Sequence, residues 1–271
     1  MAPAPNGSSG DATTLETLVG LCVGNTRTRL ALLRAGQIEQ GASVDNTSIE
    51  AVVRQACALA SGHDATGFVV AGVQREVMGR LDADLAPHAE VYLLGRDLEI
   101  RLNHSLDDAS TLGQDRLLNA IGAFATLKEA CAIVDAGTAV TVDFVDGTGV
   151  FHGGVIAPGL AMMMRAMHEH TSALPKLAYE RPDPARGPFG KDTPHAMRLG
   201  ATNALLGLVR YSVEQFAEKY EAFPMVVATG GDAGVLSEDP LIDRVVPDLQ
   251  MMGLAEVCRR ELGSGDESDA E

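Results

Sequence analysis

A strand–turn–strand unit occurs twice in this chain, and the repetition constrains the fold more than any other feature. Cys22-Val23-Gly24-Asn25-Thr26 links two short apolar stretches, Leu18–Val23 and Thr28–Leu33. About halfway along, Asp135-Ala136-Gly137-Thr138 links Ala132–Val134 to the alternating stretch Ala139–Val145. In both, a glycine lets the backbone turn tightly and small polar residues follow. Solenoid repeats recur every ~20–50 residues, and these two units lie much further apart. The pair reads as a duplicated domain, one copy in each half, with a cleft between them.

The intervening segments fit an α/β chain. Ser48–Ala60 carries Ile49, Val52, Val53, Ala56 and Leu59 at helical spacing, and Leu112–Leu127 is a second amphipathic stretch. Phe68–Ala71 and Val91–Leu94 read as strands. Asp146-Gly147 reads as a two-residue hairpin turn before a strand over Gly149–Val155. Helices are expected over Gly159–Glu169 and Thr193–Tyr220, on either side of a Pro- and Gly-rich loop. A strand over Pro224–Ala228 runs into Thr229-Gly230-Gly231-Asp232-Ala233 and a short helix. Residues 1–14 and 263–271 are polar and aperiodic, the composition of disordered tails.

The 46% of apolar residues is enough for a sizeable core. Acidic residues outnumber basic ones 37 to 21, a formal net charge of -16. That balance argues against nucleic acid or an anionic membrane as the main partner, because phosphate backbones are held by clustered Lys and Arg. Small anions remain open, since a pocket can be locally positive inside an acidic protein. The cysteines at 22, 57, 131 and 258 form no CxxC pair, so reduced thiols and a cytoplasmic setting are expected. No apolar run reaches the ~18 residues of a membrane helix. The first residues carry neither the basic nor the apolar region of a secretory signal. GxSxG, GxGxxG, Walker A and HExxH patterns are absent, which removes the usual support for hydrolase, Rossmann, P-loop and zinc readings.

Four segments can carry chemistry. In Gly24-Asn25-Thr26, backbone N–H groups and short polar side chains suit phosphate oxygens, with Arg27 and Arg29 close by; an ordinary hairpin has the same residues. Asp135 ends a buried apolar strand, where a carboxylate is costly unless it is hydrogen-bonded or holds a cation; it can equally cap the turn. Gly230-Gly231-Asp232 lies at a strand–helix junction, where glycines let a nucleotide approach the backbone, or simply connect the two elements. Gly113-Gln114-Asp115-Arg116 opens an amphipathic helix, whose dipole keeps Asp115 ionised. In a cleft Asp115 can accept a proton from a substrate hydroxyl, and Arg116 can hold a substrate oxygen; on an open surface both are solvated.

Taken in order, these segments resemble the type III pantothenate kinases, of the acetate and sugar kinase, heat-shock ATPase and actin superfamily. The resemblance rests on GNTRTRLALL (Gly24–Leu33), GQDR (Gly113–Arg116), DAGTAVTVDFV (Asp135–Val145), GGVIAPGL (Gly153–Leu160), TPHAMRLGA (Thr193–Ala201) and ATGGDA (Ala228–Ala233). It implies two actin-like, ribonuclease H-like lobes with mixed sheets around a central nucleotide cleft, at residues 15–125 and 126–262. It implies an enzyme that phosphorylates pantothenate with ATP, the first step towards coenzyme A, using Mg2+ and a monovalent cation (K+ or NH4+). It also implies a homodimer with the pantothenate site at the interface. By resemblance, Asp115 is the general base, and Gly113, Gln114, Asp115, Arg116 and Thr193 border pantothenate, Thr193 from the neighbouring subunit. Cys22, Val23, Gly24, Asn25, Thr26, Arg27, Gly137 and Thr138 hold the ATP phosphates. Gly230, Gly231 and Asp232 lie beside the adenosine, and Asp135 lies at the potassium site.

Two positions depart from the family pattern. Its first phosphate motif reads Asp-x-Gly-Asn-Thr, and here Cys22 replaces the Asp; a thiol is a poor magnesium ligand. That substitution motivates an alternative, a weak or inactive relative acting as a ligand-binding or regulatory protein of the Bvg accessory factor kind. It also leads to the expectation that Cys22→Asp improves magnesium-dependent ATP binding. The second departure is Ala71-Gly72-Val73-Gln74, where the family usually has serines and a later proline.

Overall fold

The computed structural model describes residues 17–262. The tails expected at 1–14 and 263–271 lie outside the described residues. Two five-stranded mixed sheets form the framework. The first contains β1 (Thr17–Val23), β2 (Arg27–Arg34), β3 (Gln37–Asp45), β4 (Gly67–Gly72) and β5 (Glu90–Leu93) in the order β3-β2-β1-β4-β5. The second contains β6 (Cys131–Ala136), β7 (Ala139–Val145), β8 (Phe151–Pro158), β9 (Met225–Thr229) and β10 (Arg244–Val245). Read from its β8 edge, its order is β8-β7-β6-β9-β10. The two orders match strand for strand. In each, a three-stranded antiparallel meander continues into two parallel strands. The duplication suggested by the two turns is therefore a duplication of topology.

Helices cover these sheets, most of them over stretches the sequence marks as helical. α1 (Ile49–Gly62) starts at Ser48, whose hydroxyl accepts the Ala51 N–H, and buries Ile49, Val52, Ala56 and Leu59 against the first sheet. α2 (Arg75–Leu85) covers the same side through Met78, Leu81 and Leu85. α4 (Leu160–Glu169) and the 28-residue α5 (Thr193–Tyr220) cover the outer face of the second sheet. Met197, Ala201, Leu205, Val209 and Val213 repeat every fourth residue along α5 and form its buried stripe. Asp192 caps α5 by accepting the His195 N–H at 2.8 Å.

α3 (Gln114–Leu127) and α6 (Leu249–Leu262) lie between the sheets and belong to both cores. Leu118 and Ile121 of α3 pack with Leu18, Cys22 and Val69, whereas Ala120 and Ala123 pack with Ile133, Val145 and Phe151. α6 returns to the first sheet through Met251, Leu254, Ala255 and Cys258. The two helices touch backbone to backbone at Gly122 and Gly253: a side chain at Gly253 would collide with the Leu118 carbonyl. A crossing this close requires glycine on both helices.

Five stretches differ from the sequence expectation. β3 and α2 carry no clear apolar signal, because β3 is an edge strand with most of its side chains in water and α2 is polar on average. α6 and β10 follow the last assigned motif and take their place only in contact with the rest. The expected two-residue turn at Asp146-Gly147 is longer: the Asp146 carbonyl accepts from the Gly149 N–H, and the Asp146 N–H donates to Val150. Gly149 has φ +85°, and β8 begins at Phe151 rather than 149.

Candidate active site

The two repeated turns meet. Thr26 Oγ1 and Thr138 Oγ1, 112 residues apart in sequence, lie 3.3 Å from each other. The first turn joins β1 to β2 and is closed by the Gly24 N–H donating to the Arg27 carbonyl at 3.0 Å. The second joins β6 to β7, is one residue tighter, and is closed by the Gly137 N–H donating to the Ala139 carbonyl at 3.0 Å. Of the residues expected to hold phosphates, Asn25, Thr26, Arg27 and Thr138 are exposed, and Gly24 and Gly137 are half-buried. The Gly230–Asp232 segment packs directly on the second turn. Gly230 takes φ +94° and lies against the Ala136 carbonyl and the Asp135 carboxylate, and the Asp232 N–H donates to Ala136 at 2.8 Å. A side chain at Gly230 would meet both strain and backbone. Burial pushes the Asp232 carboxyl upward.

The start of α3 brings the GQDR residues to the same region. Asp115 Oδ1 accepts the Arg116 N–H at 2.9 Å, which ties the carboxylate to its own helix terminus. Asp135 Oδ2 accepts Asn119 Nδ2 at 2.8 Å. Burial pushes the Asp135 carboxyl up to about 6; Asn119 opposes this, and the nearby Asp115 and Asp143 carboxylates add to it. Asn119 and Asp143 are each only 2% exposed, and neither is among the site residues expected from the sequence. The signal for Asp143 is a charge in the middle of the apolar strand AVTVDFV.

Several predicted residues are engaged in ways the sequence does not reveal. The Arg116 guanidinium donates to both Asp143 oxygens through Nε, at 3.1 and 3.0 Å, and again through Nη2. Burial pushes Asp143 up, and this guanidinium holds against it. Arg116 is thus spent largely inside the protein rather than offered to an anion. Gln114 uses both ends of its amide, accepting the Gly72 N–H at 2.9 Å and donating to the Leu94 carbonyl at 2.7 Å. Gly113 and Gln114 line an open cavity of about 720 Å³ together with Gly72, Val73, Leu94 and Thr111. Thr193 stands exposed at the first turn of α5 and makes no hydrogen bond to the other site residues among those described.

Val23 and Cys22 are buried. The Cys22 thiol faces α6 in an apolar cluster with Leu254, Ala255 and Cys258, and is 2% exposed. Burial, then the neighbouring Cys258, push it far above the usual thiol range. This changes the expectation for Cys22→Asp. A carboxylate at this position would be desolvated among apolar side chains, and the cation beside it, Arg29, is already paired with Asp248.

Among the described residues, no group of three or more His, Cys, Asp or Glu side chains can hold a metal ion by itself. That fits a magnesium ion only when substrate phosphates supply the remaining oxygens. The oxygens suited to a monovalent cation are the Asp135 carboxylate and the buried Asn119 Oδ1, which has no hydrogen-bond partner among the described residues.

The type III pantothenate kinase family model matches residues 19–215, which include both turns and GQDR. The chain belongs to the type III pantothenate kinase family. Curated family members extend the match. The one from Fervidobacterium nodosum is 32% identical over 240 residues, covering 86% of this chain and 93% of its own length. The one from Phenylobacterium zucineum is 34% identical over 174 residues, covering 64% and 66%. Among solved structures, a Baf family transcriptional activator from Campylobacter jejuni has TM-score 0.61 at 17% identity, over 89% of this chain and 98% of that one. A ROK family glucokinase from Streptomyces griseus has TM-score 0.53 at 12% identity, over 90% and 99%. At such identities these two likenesses speak for the shared actin-like fold alone.

Proposed function

We propose that this chain transfers the γ-phosphoryl group of ATP to the terminal hydroxyl of pantothenate. The observation that supports the reading is the meeting of Thr26 and Thr138 at the turn that follows Asp135, whose carboxylate is near enough to feel that of Asp115. Phosphoryl transfer asks a protein for positioning and charge neutralisation more than for covalent chemistry. The two turns hold the phosphates through backbone N–H groups and the Thr26 and Thr138 hydroxyls, with Arg27 at the rim. Gly230, Gly231 and Asp232 border the adenosine. Asp115 has one oxygen bound to its helix terminus and the other available to accept the proton of the pantothenate hydroxyl, a role worth about 10²–10⁴ in rate. Mg2+ and a K+ or NH4+ ion would neutralise phosphate charge when bound, with Asp135 and Asn119 as the residues for the monovalent one.

The cavity beside Gly113 and Gln114 suits pantothenate, and its openness suits completion by Thr193 of the partner subunit in a homodimer. Exposed Ile156 on the edge strand β8 and Tyr211 on α5 support a second copy as the partner. The lobes at 15–125 and 126–262 then flank the nucleotide, with α3 and α6 packed between the two sheets. Among the described residues no helix is long and apolar enough to cross a membrane, and a cytoplasmic site of action agrees with the substrates. Nothing observed favours the regulatory alternative.

A coupled assay with ATP, Mg2+, K+ and pantothenate tests the reading. Turnover is expected, and Asp115→Asn lowers it about 10²–10⁴-fold. Wild-type turnover no higher than that of Asp115→Asn would overturn it.

A further inference from the structure

The carbonyls of the first turn all point at amides. The Gly24 carbonyl accepts Asn46 Nδ2 and Gln74 Nε2, both at 2.7 Å. The Asn25 carbonyl accepts the same Gln74 Nε2 at 2.9 Å, and the Thr26 carbonyl accepts the Asn46 backbone N–H at 2.9 Å. In a trans peptide the C=O and N–H groups point in opposite directions. Carbonyls fixed towards Asn46 and Gln74 therefore turn the following N–H groups away from those residues. The N–H groups of Asn25 and Thr26 have no partner among the described residues. Two successive free N–H groups of this kind make an anion-binding concavity.

The second turn is held differently. Its Ala136 carbonyl accepts the Asp232 N–H at 2.8 Å, and its Thr138 carbonyl accepts the Gly159 N–H at 3.1 Å. Backbone does there what side chains do in the first turn. Gln74 itself is set apart for the task. It occupies the position before α2, where Ser, Thr, Asp or Asn would cap the helix, yet its side chain makes no capping bond. Asn46 is further fixed by the Thr28 hydroxyl, which donates to Asn46 Oδ1 at 2.7 Å; that leaves Nδ2 for Gly24.

We propose that Gln74, with Asn46, is the positioning residue that orients the first turn's N–H groups for ATP phosphates. It does so by hydrogen bonds to the turn's carbonyls, in a chain whose position 22 carries no carboxylate. This rests on the reading of the turn as a phosphate site. Gln74 also links the two substrate regions. Gly72, two residues before it, is bound by Gln114 of the GQDR segment, so the loop 72–74 is tied to the pantothenate side at one end and the phosphate side at the other.

The test is ADP binding by titration calorimetry, beside steady-state KM and kcat, on Gln74→Glu, Gln74→Met and Gln74→Lys. Glu keeps the size of Gln but sets a carboxylate against two carbonyls, Met removes the donor, and Lys restores one. ADP affinity and KM for ATP are expected to worsen about tenfold or more in Gln74→Glu and by a smaller factor in Gln74→Met. KM for pantothenate stays as in wild type, the variants remain folded with at most a modest fall in unfolding midpoint, and Gln74→Lys recovers most of the affinity. Should Gln74→Glu fold poorly, Asn46→Asp takes its place and is expected to show the same loss. Wild-type ADP affinity in both Gln74→Glu and Asn46→Asp, or equal losses in Gln74→Lys and Gln74→Glu, would overturn the positioning role alone. A wild-type protein that binds no ADP would overturn the phosphate site and the positioning role together.

Discussion

Cys22 and Ala31 stand on one face of the first sheet, and Asp135 and Asp143 stand at the corresponding register positions of the second. The first pair packs against the apolar residues Met251, Leu254 and Ala255 of α6. The second pair is met by Asn119 and Arg116 of α3. The backbone has kept its two-fold plan while the chemistry has moved to one side. All the buried carboxylates of the site lie near the second turn, and the first turn contributes backbone and amides. The two copies thus differ in what surrounds their turns: side-chain amides hold the first, while backbone N–H groups hold the second beside a buried carboxylate.

Four single substitutions and one double variant sharpen or break this contrast, from the largest expected effect to the smallest. Arg116→Met leaves Asp143 buried without its partner and should cost about 3–5 kcal/mol in urea unfolding. Combining it with Asp143→Met should recover most of that loss, since apolar residues can replace a buried pair. A loss under about 1 kcal/mol in the single variant would mean the pair is not truly desolvated. Asp135→Cys makes the second turn resemble the first. It should lower kcat/KM by about 10²–10³, roughly 2.7–4 kcal/mol, and weaken the response to potassium. Activity close to wild type would show that the asymmetry has no catalytic meaning.

Cys22→Asp makes the opposite change. It places a carboxylate beside α6 and should lower stability by about 1–3 kcal/mol, with no gain in magnesium-dependent ATP affinity. A tighter, magnesium-dependent ATP complex would show that this face opens to the cleft after all. The smallest effect concerns the solvent side of α6. Arg259 first, and Arg260 with it, hold the Glu256 carboxyl at about 2 against the opposing effect of burial, well below its usual value of 4.5. Because the folded value is the lower one, its contribution is present above about pH 4.5 and fades as pH falls through about 2. Glu256→Gln should cost about 1 kcal/mol at neutral pH after solvent screening, and nothing once the pH is below about 2. Acid unfolding curves of the two proteins that stay parallel throughout would refute it.

Much of the candidate site was legible because a glycine-led turn between apolar strands is a local pattern. The turns at Gly24 and Gly137, the α3 start at Asp115 and the Gly230–Asp232 loop all follow from residues within a few positions of each other. Asn46, Gln74, Asn119 and Asp143 were not legible as site residues. Each is an ordinary polar residue until folding sets it opposite a turn or a charged partner. Arg116 shows the converse: its charge is obvious in the sequence, and its commitment to Asp143, 27 residues away, is not.

The sequence by itself determined the class of fold, the doubled turn and the family's motifs, because spacing and turn chemistry act over short range. The tertiary structure alone decided that Cys22 is sealed beneath α6, that Arg116 is occupied, and that amides hold the first turn. Those outcomes depend on desolvation and on contacts between distant segments. Neither quantity exists for a side chain until the sheets and the two helices between them have closed around it.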